Sequence, residues 1–306
     1  MARQITRQIT IIGVGLIGGS FALALRDAGC SIRFVGVGRS QASLERAMER
    51  GIIDSWTTSL ADSVSGSDVV LLATPVGSVD AIMTEIAPAL DRDTIVTDVG
   101  SVKQSVIEAA QRRLPYFSRF VPVHPIAGTE HSGVEAGFAT LYHNKRLILT
   151  PVSETSEQAL ETVSQLWQLT GAVIEQMDPL RHDEVFAATS HLPHLLAFSL
   201  VETLCRMDRD APLLQHTGGG FADYTRIASS DPVMWRDICL YNREALLATL
   251  DEYKHGLDAV AEAIENGDGE TLQQIFTTAK ETRDNKVLTV EQPDPKKQAD
   301  NEKQDR

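Results

Sequence analysis

Apolar positions in the first half of the chain fall into short β-branched runs separated by longer amphipathic stretches. Runs at 9–12, 32–37, 69–73, 94–97 and 120–123 alternate with helical patterns such as 17–28 and 41–50. This alternation predicts βαβ units and a mainly parallel sheet. Parallel strands are covered on both faces, which accounts for continuous apolar runs in place of strict alternation. Two late runs, 146–150 and 173–175, flank one more helical pattern at 156–170.

After Asp178-Pro179 the strand signals stop and helical periodicity takes over. Ser230-Asp231-Pro232 reads as a helix start, with a capping side chain and proline in the first turn. The apolar pattern then continues through Cys239, Leu246, Leu250, Tyr253, Leu257, Val260 and Ile264. It predicts one unbroken helix over 231–264, roughly 50 Å long, which needs a partner outside its own domain. The expected organisation is a Rossmann-type α/β dinucleotide-binding domain at 1–178 and an all-helical substrate and dimerisation domain at 179–288. A polar segment at 289–306 lacks periodicity and reads as a disordered tail.

The net charge of −14 and the lack of a basic stripe argue against nucleic acid as a partner. An anionic ligand would depend on a few local cations and on helix N-termini. No window offers the roughly 20 uncharged apolar residues of a membrane span. The three cysteines, Cys30, Cys205 and Cys239, are far apart and odd in number. They are expected to be buried thiols, and a cytoplasmic location is expected with them.

The first strand runs into Gly13-Val14-Gly15-Leu16-Ile17-Gly18-Gly19-Ser20. Strand before and helix after give this G-x-G-x-x-G the context of a dinucleotide site. Gly13 permits the turn, Gly15 the approach of a pyrophosphate and Gly18 close helix packing. Leu16 and Ile17 in the loop, and Thr74 and Pro75 after the run at 69–73, are assigned to the cofactor with them. An NAD site usually closes its second strand with an acid for the ribose hydroxyls. Here Val37-Gly38 is followed by Arg39 and Ser40. A guanidinium and a hydroxyl suit a 2′-phosphate, so NADP is expected in preference to NAD.

Four more segments accompany this loop: Asp98-Val99-Gly100-Ser101-Val102-Lys103, His124-Pro125-Ile126-Ala127-Gly128, Ser190-His191-Leu192-Pro193-His194 and Gly218-Gly219-Gly220-Phe221-Ala222-Asp223-Tyr224-Thr225-Arg226. In this order they resemble the prephenate/arogenate (cyclohexadienyl) dehydrogenases of tyrosine biosynthesis, over roughly residues 8–286. The resemblance implies a Rossmann domain, a helical dimerisation domain and an active site between them. It implies oxidative decarboxylation of prephenate or arogenate, giving 4-hydroxyphenylpyruvate or tyrosine. Another two-domain Rossmann dehydrogenase, acting on a hydroxy acid or acyl thioester, is the alternative, and it has no use for the last segment.

Aromatisation of the ring drives such a reaction, so the protein needs positioning and one partner for the ring hydroxyl. His124 is the candidate base, because an imidazole can accept that proton near neutral pH. By resemblance Ser101 contacts the nicotinamide side and the ring hydroxyl; it also fits a helix N-cap. Arg226 can grip the ring carboxylate with two hydrogen bonds, and Gly219 before it would line the same pocket. Trp235 fits either a pocket wall or the core. The resemblance puts one substrate histidine in the Ser190 segment, leaving His191 and His194 as equals. Pro193 should kink their helix and free a carbonyl near Thr189. Glu130 would attract the ammonium of arogenate. His182, His191 and His194 lack a carboxylate or cysteine at ligand spacing, so no metal is expected. With no room for an added regulatory domain, tyrosine is expected to inhibit at the active site. A homodimer through the C-terminal helices is expected.

Overall fold

The computed structural model describes residues 6–129, 131–208 and 212–287. Six strands form one sheet: β1 (Gln8–Ile12), β2 (Arg33–Val37), β3 (Ser55–Thr57), β4 (Val69–Leu72), β5 (Ile95–Asp98) and β6 (Phe120–Val121). Their order is β3-β2-β1-β4-β5-β6, and every neighbouring pair is parallel. The chain leaves β1 for β2 and β3 on one side, then crosses over to β4 on the other. The crossover therefore lies between β1 and β4, where parallel sheets bind ligands at their strand ends.

Helices α1 (Leu16–Asp27), α2 (Gln41–Glu49), α3 (Leu60–Ser63), α4 (Val79–Ile86) and α5 (Gln104–Arg113) connect these strands. Two apolar clusters cover the faces of the sheet. Ile9, Ile11, Phe34 and Leu71 pack into one; Ile12, Val70, Leu72 and Val96 pack into the other. This two-sided burial is what the continuous apolar runs require.

The run at 120–123 is two strands, not one. Pro122 has no amide for a ladder, and after it β7 (Val123–Pro125) enters a second sheet. There β8 (Arg146–Leu149) pairs antiparallel with β7 and parallel with β9 (Val173–Gln176), across α6 (Glu157–Leu169). His124 is thus held in register opposite Ile148.

The helical segment opens with α7 (Pro179–Phe186), where the Asp178 side chain accepts the Arg181 amide. A π-helical turn at Ala187–His191 leads into α8 (Leu192–Met207). Pro193 lacks the amide that would reach Thr189, and the backbone widens one turn earlier, as the proline requires. Then come α9 (Gly219–Thr225), α10 (Pro232–Tyr241), α11 (Arg243–Glu265) and α12 (Gly269–Thr282). The single helix expected over 231–264 is interrupted at Asn242, whose φ and ψ are −108° and 34°. The cause is its buried side chain, whose Nδ2 donates to the Asp183 carbonyl at 2.9 Å and meets His191 Nδ1 at 3.0 Å.

The chain falls into two compact units, 1–247 and 248–306. The first contains both sheets and α7 to α10. The second contains α12 and most of α11, with Tyr253, Leu257, Ile264 and Phe276 exposed on them. The expected tail at 289–306 lies outside the described residues. No helix among the described residues is long and apolar enough to cross a membrane. The expectation of three buried thiols fails at Cys205, which is exposed on α8; Cys30 and Cys239 are half-buried.

One ion pair is wholly enclosed. Lys103 Nζ donates to Asp98 Oδ2 at 2.5 Å and to the Val123 carbonyl at 2.6 Å. The Val123 and Gly100 amides donate to the same carboxylate. The pair joins the end of β5, the start of α5 and β7. Burial pulls the Lys103 ammonium below its ordinary pKa, against the opposing pull of Asp98. Lys103→Met should cost about 3–5 kcal/mol, because it strands a buried carboxylate. Adding Asp98→Asn should recover part of that loss. Urea unfolding checks both, and a Lys103→Met protein of normal stability would contradict this role.

Candidate active site

The glycine loop sits at the crossover of the sheet. Gly13 has φ +102°, and a Cβ there would stand 2.4 Å from the Ala73 carbonyl oxygen. At Gly18 a Cβ would stand 2.4 Å from the Gly13 oxygen. Gly15 is different: nothing lies within 4 Å of the position its Cβ would take. It caps α1 with no side-chain bond, so the first amides of the helix have no capping side chain. An open cradle at a helix N-terminus fits a pyrophosphate, and the residues present therefore suit a dinucleotide. Leu16 is buried in the core, so only its backbone can serve; the Ile17 carbonyl accepts the Tyr142 hydroxyl at 2.6 Å.

Arg39 lies two residues beyond β2 and is exposed, with no ion pair among the described residues. Ser40 caps α2: its Oγ accepts the Ser43 amide and the Ser43 hydroxyl, leaving its own O–H available. Across the crossover, Thr74 Oγ1 accepts the Ser78 hydroxyl at 3.0 Å in the turn after β4. That turn touches α10. A Cβ on Gly77 would stand 2.4 Å from Asp237 Oδ2, so the turn beside the cofactor cradle and the helix bearing Trp235 meet without a gap.

His124 stands at the C-terminal side of the main sheet, half-buried. Its Nδ1 is 2.8 Å from His182 Nε2, and His182 Nδ1 is 2.8 Å from Asp183 Oδ1. Asp183 also accepts the Lys103 amide on Oδ1 and the Gln104 amide on Oδ2. It therefore caps α5 from another helix, the role left vacant by Ser101. Ser101 lies in the loop ahead of that helix, which begins at Gln104, and is not its N-cap.

The proton positions follow from the acceptors. A carboxylate only accepts, so His182 Nδ1 carries the proton and its Nε2 accepts from His124 Nδ1. His124 Nε2 is left with a lone pair. Burial, then the neighbouring His182, Lys103 and His191, hold the His124 pKa well below its ordinary value of 6.5. His182 is lowered by burial against the opposing bond to Asp183. Burial therefore favours the neutral form of both rings.

The two histidines left equal by sequence differ here. His191 is fully buried, with Nδ1 facing Asn242; burial lowers its pKa to about 4. Its Nε2 has no hydrogen-bond partner among the described residues, and the Ser101 backbone is a polar neighbour. His194 is half-buried and stacks on Trp235 with centroids 3.6 Å apart. Burial and the nearby Arg226 cation both lower its pKa. Trp235 is at once core and wall: it packs with Ile238 and Val76 and supports both imidazoles. Arg226 and Gly219 are exposed, and nothing lies within 4 Å of a Cβ on Gly219. Glu130 lies outside the described residues. Among these residues no group of histidine, cysteine and acids is arranged for a metal ion.

Sequence reasoning missed Asp98, Lys103, Asp183, Asp237 and Asn242, and considered His182 only as a metal ligand. One signal was available: the adjacent His182-Asp183 at the start of a helix, in a chain whose other buried carboxylates need partners.

A glycine cradle at the crossover of a parallel sheet, beside a neutral imidazole at the strand ends, defines a dinucleotide-dependent oxidoreductase. Comparison with known proteins gives the particular family. The family model "Prephenate dehydrogenase, nucleotide-binding domain" matches residues 21–176, and "Prephenate dehydrogenase, dimerization domain" matches 178–278. The chain is 38% identical to the prephenate dehydrogenase of Bacillus subtilis, over 92% of this chain and 76% of that one. It is 38% identical to the cyclohexadienyl dehydrogenase of Zymomonas mobilis, over 90% and 95%. The crystal structure of Aquifex aeolicus prephenate dehydrogenase with hydroxyphenyl propionate and NAD+ superposes with a TM-score of 0.85 at 40% identity, covering 90% of this chain and 97% of that one. The chain belongs to the prephenate dehydrogenase family.

The two glycines should separate folding from binding. Gly18→Ala should lower stability by about 1–3 kcal/mol through overpacking. Gly15→Ala should stay within about 1 kcal/mol of the parent but weaken dinucleotide binding at least about tenfold, since its methyl enters the cradle. Urea unfolding and dinucleotide titration measure the two effects.

Proposed function

We propose that this protein catalyses the oxidative decarboxylation of a cyclohexadienyl substrate, prephenate or arogenate, with a nicotinamide dinucleotide as hydride acceptor. The observation that carries this reading is the His124–His182–Asp183 chain, which leaves His124 Nε2 free to take a proton. The bound dinucleotide would supply the hydride acceptor, held by Gly13, Gly15, Gly18 and the Thr74-Pro75 turn.

His124 accepts the proton of the ring hydroxyl as hydride leaves the same carbon. His182 keeps the acceptor nitrogen of His124 turned outward, and Asp183 keeps the tautomer of His182. Ser101, in the loop between β5 and α5, orients the hydroxyl in this reading. Arg226 grips the ring carboxylate, and His194, stacked on Trp235, lines the pocket beside it. His191 is the buried support behind them. Loss of the carboxylate as carbon dioxide makes the ring aromatic, so the chain supplies position and one base. Tyrosine carries the product's phenol and would compete for the same pocket. The exposed apolar residues of α11 and α12 form the homodimer contact in this reading.

His124→Asn should lower kcat by about 10²–10⁴ with little change in KM. The pH profile has a defined direction. Neutral His124 is the active form and its pKa is depressed, so kcat/KM should hold at pH 6.5 and fall only well below it. An acid limb at or above 6.5, or a fully active His124→Asn, would remove His124 as the base.

NADP is the cofactor we favour. Arg39 and the available Ser40 hydroxyl can bond a 2′-phosphate, and bonds to charged groups are worth about 1.5–3 kcal/mol. That corresponds to a preference of roughly 10–100-fold. Arg39→Asp should reverse it, as measured by kcat/KM for both cofactors. The Aquifex relative is crystallised with NAD+; equal or better use of NAD by this protein would put Arg39 in solvent.

A further inference from the structure

The chain that leaves His124 does not hang free. After residues 126–129 it returns through a 3₁₀ turn, Val134–Ala136, before reaching β8. This return path is fastened to α1, which begins at the glycine cradle, and to α2, which begins beside Arg39 and Ser40. Glu135 Oε1 accepts Arg46 Nε of α2 at 2.6 Å, and Arg50 Nε lies 3.8 Å from Oε2. The Arg50 fork also donates to the Val134 carbonyl and, at 3.0 Å, to that of Gly137. On α1, the buried Ser20 Oγ accepts the Phe138 amide at 3.0 Å.

Two features set this clasp apart from an ordinary surface ion pair, which contributes little. Arg50 uses its planar fork on two backbone carbonyls, a geometry that an ammonium cannot copy. The clasp also joins parts with different tasks. The N-terminus of α1 begins at Gly15, and α2 begins beside Arg39 and Ser40. The other end of the strap follows directly from the strand that bears His124. His124 itself is held independently, by the β7–β8 pairing and by His182. A change in the clasp should therefore reach the loop without moving the base.

We propose that Arg46, Arg50 and Glu135 are positioning residues that couple dinucleotide binding at α1 and α2 to the order of the substrate-side loop. Binding at the two helix N-termini steadies both helices, and the clasp passes that order to 126–129 and 131–138. Ring substrate then meets a loop whose conformational entropy is already spent, and binds more tightly. The proposal rests on the reading above for the identity of that substrate, but not for the coupling itself.

Amide hydrogen exchange on the full-length protein tests the coupling, with and without saturating NADP or NAD, in wild type, Arg50→Met and Glu135→Gln. In wild type, dinucleotide should slow exchange of the amides at 126–129 and 131–138 at least about fivefold, the lower end of typical coupling between sites. In both variants that protection should be lost while dinucleotide affinity stays within about threefold. Glu135 is exposed, so Glu135→Gln should fold normally even if Arg50→Met does not. With prephenate and arogenate, the variants should raise KM about three- to tenfold and leave kcat within about twofold. A purely structural clasp would lower thermal stability without this split. Equal loop protection in wild type and Glu135→Gln, or none in wild type, overturns the proposal. Loop protection that depends on the clasp, in a wild type that turns over neither substrate, upholds the coupling and overturns the functional reading instead.

Discussion

The carboxylate of Asp183 is the contact on which the rest of the site depends. It is buried, and a buried carboxylate is tolerated only when its oxygens are satisfied. Three N–H groups do this, from Lys103, Gln104 and His182. The first two place a negative charge at the N-terminus of α5, a favourable position against the helix dipole. The third fixes which nitrogen of His182 carries the proton. One side chain thereby docks α7 on the parallel sheet and, through His182, sets the tautomer of His124. The Asp183 carbonyl adds a third link, since it accepts the Asn242 amide, which also faces His191.

Around that contact the imidazoles are held neutral, while cations stand at the surface. Burial keeps His124, His182 and His191 unprotonated, and the Lys103 ammonium reinforces this for His124 and His182. The same ammonium is paired with Asp98, so neither of these two buried charges is isolated. Arg226 and Arg39 stay exposed. This arrangement resolves the paradox of an acidic chain that serves anions: net charge governs the long-range field, whereas binding is governed by a few cations and helix termini at short range.

The cost of this design is visible in local irregularities, each with its own cause. Pro122 divides what would be one strand, and the division carries His124 out of the parallel sheet into a separate one. Pro193 forces a π turn ahead of α8, and π turns recur at functional sites. Asn242 leaves helical geometry because its amide has two buried partners to meet. Asp237 sits so close to Gly77 that any larger residue there would have to displace its carboxylate. In the first three cases a break in regular structure falls beside a side chain of the candidate site.

Much of this was legible in the chain itself. Local patterns determine the alternating strands and helices, because burial on two faces writes continuous apolar runs. The glycine loop, His124, Ser101 and Arg226 stand in ordered motifs that resemble one family closely, and the family comparisons agree. The strand break at Pro122 and the bend at Asn242 were not legible as such, since periodicity reports which face is apolar and not where a polar side chain must turn inward. Tertiary structure alone decided that Asp183 caps a helix 80 residues away and orders His182, that Lys103 pairs with Asp98 out of solvent, and that His194 rather than His191 stacks beside Arg226. Those are long-range pairings of polar groups. A sequence records that such groups exist, but only the packed fold removes their water and so dictates which partners they must find.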